Sequence, residues 1–191
     1  MLLIADEVQT GLGRTGKLLA CQHDGVRPDG VILGKALGGG LLPVSAFLAD
    51  EAVMQEFSPG DHGSTFGGNP LACQVALTAL DLLEEEGLIK NSAVLGELLL
   101  ARLHQLKERS PMIWAVRGRG LFADIELDPQ QGDARALAEA LLGYGVLTKD
   151  THNTVLRLAP PLIISREELE WGVGRIAEAL DEFRHRPQLA A

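Results

Sequence analysis

The apolar run Gly30-Val31-Ile32-Leu33 leads directly into Gly34-Lys35-Ala36-Leu37-Gly38-Gly39-Gly40. A short continuous apolar run reads as a strand inside a sheet, buried on both faces. The glycines beside it let another backbone or a flat ligand come close. Lys35 therefore stands at a strand end with no polar neighbour for four residues on either side. Two readings follow. The side chain carries its ammonium out to water on a flexible stem, or partial burial disfavours the charge and leaves a neutral, nucleophilic amine able to condense with a carbonyl. Leu2-Leu3-Ile4-Ala5 is a second run of this kind, expected as a buried parallel strand with neighbours on both sides. Asp6 and Glu7 follow at its C-terminal end, where α/β sheets bind ligands; alternatively the pair only marks the strand's exit into solvent.

With 46% hydrophobic and 23% charged residues among 191, the chain reads as a globular protein with apolar material for one large or two small cores, neither disordered nor membrane-spanning. A net charge of -9 without an offsetting basic cluster argues against a nucleic-acid surface and for small-molecule chemistry. Cys21 and Cys73 lie far apart, with no CxxC spacing and no secretory leader, so a cytoplasmic protein is expected. The five histidines do not fall at zinc-site spacing, and no metal is expected.

Gly11-Leu12-Gly13-Arg14-Thr15-Gly16 matches the dinucleotide fingerprint in letters only. Five residues separate it from the strand, and no long helical period follows before Pro28, so the nicotinamide reading is set aside. Gly34-Lys35-Ala36 likewise lacks the hydroxyl residue that completes a phosphate loop. Leu41 to Leu48 gives a further apolar run, interrupted by Pro43. Asp61 to Pro70, with Ser64, Thr65 and several glycines, has the hydroxyls and free amides that surround a phosphate, or is a plain surface loop. Pro70 opens a helix whose residues Leu71, Val75, Ala76, Ala79, Leu80 and Leu83 recur at helical spacing and are expected to face a core. It ends near Glu86-Gly87.

Beyond Gly87 a second α/β domain is expected, giving domains 1–90 and 91–191. Its elements are a leucine-striped helix stopped at Ser110-Pro111, strands around Val116 and from Leu121 to Leu127, and a helix capped by Asp133. Strands at Val146-Leu147 and Val155–Leu158 follow, then a helix from Arg166 to Phe183 and a frayed tail from His185.

Three stretches in order, Asp6-Glu7-Val8-Gln9-Thr10-Gly11, Gly34-Lys35-Ala36-Leu37-Gly38-Gly39-Gly40 and Gly63-Ser64-Thr65-Phe66-Gly67-Gly68-Asn69-Pro70, resemble the class III aminotransferases, pyridoxal-phosphate enzymes of fold type I. Arg27-Pro28-Asp29, Thr151-His152 and Val155 to Leu162 resemble most the branch acting on ornithine, and next the branch acting on acetylornithine. The resemblance implies the α/β fold of the C-terminal part of the large cofactor-binding domain, followed by the small C-terminal domain. It implies that Lys35 bonds to the cofactor and moves the substrate proton, and that Asp6 pairs with the pyridinium nitrogen, which keeps the ring electron-withdrawing. Gln9 is implied near the ring oxygen, Thr65 and Ser64 at the phosphate of a neighbouring subunit in a homodimer, and Arg157 on a substrate carboxylate. Substrates would be an amino acid and a 2-oxo acid in a ping-pong cycle. The family's chain is roughly twice as long, so this chain is expected to be its C-terminal half. The alternative from another class is an inactive fragment that only binds or dimerises.

Overall fold

The protein, described by a computed structural model over residues 1–185, divides into two compact units, Met1–Lys90 and Asn91–Ala191. The fraying expected from His185 falls, past that residue, outside the described residues.

In the first unit, β1 (Ile4–Asp6) runs parallel to β2 (Gly30–Leu33), and β3 (Ala46–Ala49) pairs antiparallel with β2 on its other side. The centre of the sheet is thus the strand that leads to Lys35. A parallel crossover needs a dozen or more residues, and residues 7–29 supply it as turns with one short 3-10 segment, Ala20–His23. The four-residue helix α1 (Glu51–Met54) follows β3. Helix α2 (Pro70–Glu85) begins where proline costs nothing, with Asn69 Oδ1 accepting from the Ala72 amide at 2.9 Å.

Two expectations change here. Among the described residues β1 pairs on one side only, and Leu2, Leu3 and Ile4 are each more than half exposed, so the second neighbour expected for this strand is not among them. The apolar stripe of α2 is only partly covered: Ala72 and Ala76 are buried, while Leu71 is 66% and Leu80 36% exposed. The reason is what packs there. Among the described residues Val75 and Ala79 meet Gly39 of the turn after Lys35, while Leu71 and Leu80 lie to either side with little against them.

In the second unit, α3 (Leu88–Arg109) leads to a fully antiparallel sheet of β4 (Ile113–Arg119), β5 (Phe122–Leu127), β6 (Lys149–Thr151) and β7 (Val155–Leu158), in the order β4-β5-β7-β6. With α4 (Ala134–Gly143) and α5 (Arg166–His185), one sheet face buries a core that includes Leu103, Ile125, Leu127, Leu137, Leu156 and Leu180. Asp133 caps α4 by accepting from the Arg135 amide at 2.7 Å, as the sequence predicts. Ser165 and Glu168 cap α5 reciprocally.

The strand expected at Val146-Leu147 forms instead at Lys149–Thr151. Val146 is occupied in closing α4: its amide reaches Leu141 O at 3.0 Å and that of Gly145, at φ +77°, reaches Leu142 O at 3.1 Å, a Schellman ending. Among the described residues no helix is long and apolar enough to cross a membrane, and no His, Cys, Asp and Glu cluster is placed to hold a metal.

Candidate active site

Asp6 is the last residue of β1 and lies opposite Ile32; one position later the Glu7 amide donates to Ile32 O at 2.9 Å. From there the two carboxylates part. Asp6 is exposed at the C-terminal mouth of the strands, its Oδ1 accepting from the Val8 amide at 3.1 Å. Glu7 turns inward, 4% exposed, and accepts from the Thr10 hydroxyl at 2.6 Å and the Cys21 amide at 2.8 Å. Burial alone pushes Glu7 up, but the hydrogen bonds from Thr10 and the Cys21 and Ala20 backbone outweigh it, leaving the carboxyl below its ordinary value. Gly11 closes the turn against Glu7 O, where a Cβ would lie 2.7 Å from that oxygen.

Lys35 follows the end of β2 by two residues, after an extended Gly34, and opens the 3-10 turn Lys35–Gly38. Its own φ is +44°, a left-handed backbone that costs a residue with a Cβ about 1–2 kcal/mol. The turn holds it there, through Leu37 N to Gly34 O at 3.0 Å and Gly39 N to Ala36 O at 2.9 Å. Of the two readings open from the sequence, the structure matches the one in which the side chain reaches outward: Lys35 is exposed, and its Nζ donates to Gln9 Oε1. The parallel strand ends thus bring Asp6, Gln9 and Lys35 to one mouth of the sheet, where α/β folds bind ligands.

The Asp61–Asn69 loop is exposed apart from Asn69. Ser64 Oγ accepts from the Gly67 amide at 2.9 Å, and Asn69 Nδ2 donates to Phe66 O at 2.9 Å, so these side chains shape the turn. Thr65 stands on it as an exposed residue. No hydrogen bond among the described residues ties Ser64 or Thr65 to Asp6, Gln9 or Lys35.

Arg157 belongs to the second unit, on β7. Its Nε donates to Asp124 Oδ1 at 3.2 Å, its guanidinium carbon lies 4.9 Å from the Phe122 ring centre, and its carbonyl accepts from the Thr148 hydroxyl at 2.6 Å. Sequence reasoning finds neither these partners nor the inward role of Glu7. The alternation Phe122-Ala123-Asp124-Ile125-Glu126-Leu127 does signal that Phe122 and Asp124 share a face; which strand they meet is a matter of register between distant segments.

Comparison with known proteins gives these positions a context. The family described as Aminotransferase class-III matches residues 1–180. The chain belongs to this family. The class-III chain is 53% identical over 180 residues to an ornithine aminotransferase of Bacillus subtilis and 51% identical to one of Bordetella pertussis, covering 94% of itself in each case. It spans only 44% and 43% of those two relatives. Among solved class-III structures, the ornithine aminotransferase of Toxoplasma gondii aligns at TM-score 0.92 and 43% identity over 95% of this chain and 44% of its own. An acetylornithine aminotransferase of Elizabethkingia anophelis aligns at 0.91 and 48% identity, over 95% of this chain and 46% of its own. Another structure of the Toxoplasma protein is described with partial occupancy of pyridoxal phosphate at its active site. The class-III fold, of fold type I, therefore extends over the described part of this chain.

Proposed function

We propose that this chain carries the lysine-bearing part of a pyridoxal-phosphate-dependent ornithine aminotransferase, acting with 2-oxoglutarate as amino acceptor. Residues 1–90 would be the C-terminal portion of the large domain and 91–191 the small domain of a homodimeric, cytoplasmic enzyme, in keeping with unpaired Cys21 and Cys73. The observation that carries the reading is the meeting of Lys35 and Gln9 beside Asp6 at the ends of two parallel strands. The donor set fits the cofactor: an exposed amine for its carbonyl, an exposed carboxylate for its ring nitrogen, and hydroxyls on the Ser64–Thr65 turn for the phosphate of the cofactor in a neighbouring subunit. The cofactor, when bound, supplies an electron sink for the charge that develops at the substrate carbon. Asp6 would hold the proton at the ring nitrogen. Lys35 Nζ would take and return the substrate proton, with Gln9 orienting it between turnovers. Arg157 would grip a substrate carboxylate by paired, charge-assisted hydrogen bonds.

Borohydride reduction of the native protein followed by peptide mapping tests this reading, with the pyridoxyl group expected on the peptide that holds Lys35. Attachment at Lys17 or Lys149 would sink it. The 48% identity to the acetylornithine enzyme motivates a second substrate reading, and faster turnover of acetylornithine than of ornithine would promote it. Failure to retain the cofactor at all would favour a fragment that only binds or dimerises.

A further inference from the structure

Arg117, Asp124, Arg157 and Lys149 form one row across the second sheet, each the direct cross-strand partner of the next. Opposite charges facing one another across strands attract, and like charges repel. Arg157 therefore has a repelling lysine on one side and an attracting carboxylate on the other. Arg117 does not compete for that carboxylate through its Nη1, which donates to Glu126 Oε2 at 2.6 Å. Asp124 is left to take the Arg157 Nε at 3.2 Å, with side-chain exposures of 31% for the arginine and 25% for the aspartate. The Phe122 ring, on the same face of β5, lies 4.9 Å from the guanidinium carbon. These contacts use the Nε edge and one flat face of the guanidinium. Its two terminal amino groups make no hydrogen bond among the described residues.

We propose that Asp124 is a positioning residue that holds Arg157 by Nε, so that the two terminal amino groups receive a substrate carboxylate end-on. This rests on the reading of Arg157 as the carboxylate grip. An arginine fixed in advance loses less rotamer freedom when the carboxylate arrives, which is where the gain in affinity comes from. Phe122 contributes by holding the guanidinium plane from its face.

The test is the affinity of the full native protein for glutarate, a dicarboxylate with no amino or oxo group, measured by titration calorimetry beside a thermal melt. Asp124→Ala is expected to weaken binding roughly tenfold. Asp124→Asn, which keeps an acceptor oxygen, is expected to restore it to within about twofold, a rescue that a purely structural role would not require. Phe122→Leu should weaken binding about two- to fivefold. Affinity unchanged or improved in Asp124→Ala, with Arg157→Lys clearly weakened, would overturn the proposal and spare the carboxylate reading. Arg157→Lys equal to wild type, or no glutarate bound by the wild type, would overturn both. Should Asp124→Ala not fold, Phe122→Leu decides, and unchanged affinity there overturns the proposal.

Discussion

Removing the Glu7 carboxylate takes the acceptor from the Thr10 hydroxyl and the Cys21 amide together, and so loosens the crossover between β1 and β2 at two points. Hydrogen bonds to a charged acceptor are worth about 1.5–3 kcal/mol each, and Glu7→Gln, which keeps one acceptor oxygen, should cost on the order of 1–3 kcal/mol. The pH dependence has a definite sign. Glu7 titrates below its ordinary value in the folded chain, so its contribution is present above the unfolded pKa and lost as pH falls through the folded one. Denaturant unfolding at pH 7 and pH 3 should show the gap between wild type and Glu7→Gln narrowing in acid, and an equal gap at both would count against the assignment. Of the candidate side chains, Lys35 was legible because nothing polar surrounds it in sequence. The split between Asp6 and Glu7 was not, since adjacent carboxylates look alike until a turn buries one.

At the scale of elements, the close approach of α3 to the turn between β4 and β5 is set by Gly96 and Ser92. A Cβ at Gly96 would lie 2.3 Å from the Gly120 backbone, and the buried Ser92 hydroxyl accepts from the Leu121 amide at 3.2 Å. Gly96→Ala gains roughly 1 kcal/mol of helix propensity, yet the backbone it strikes must move. A net loss on the order of 1–3 kcal/mol is expected. Gly174→Ala on α5 meets nothing within 4 Å and should instead be neutral or stabilising. Thermal melts of the two variants check this, and a Gly96→Ala melt at or above wild type would refute it. Helices were legible where local chemistry marks their ends, as Asn69-Pro70 and Asp133 do. β6 was misplaced because an apolar pair reads as strand whether or not its amides are already spent on a helix end. The Asp124–Arg157 contact was hidden for a different reason: it joins residues 33 positions apart through a strand register that neither segment specifies alone.

For the whole molecule, burial is unevenly shared. The buried apolar cluster of the first unit is Leu12, Leu37 and Ala76, with four partly buried neighbours, whereas the second unit closes a core from one sheet face and three helices. Unpaired strand edges and exposed apolar faces invite association. Residues from Asn91 onward, expressed alone, are expected to melt cooperatively, and residues 1–90 to scatter light and melt without a clear transition. Circular dichroism and light scattering would show it, and a cooperative melt from the first unit alone would count against this account. Lys35 sits in that less buried unit with its backbone in a conformation that glycine or asparagine would adopt more readily. If Lys35 is the cofactor-bonding lysine proposed above, stability and chemistry pull in opposite directions at position 35. On the proposed role, a descendant released from any need for the amine would drift toward an easier residue there, and a lysine held at this left-handed turn would be kept for its chemistry against the preference of the fold.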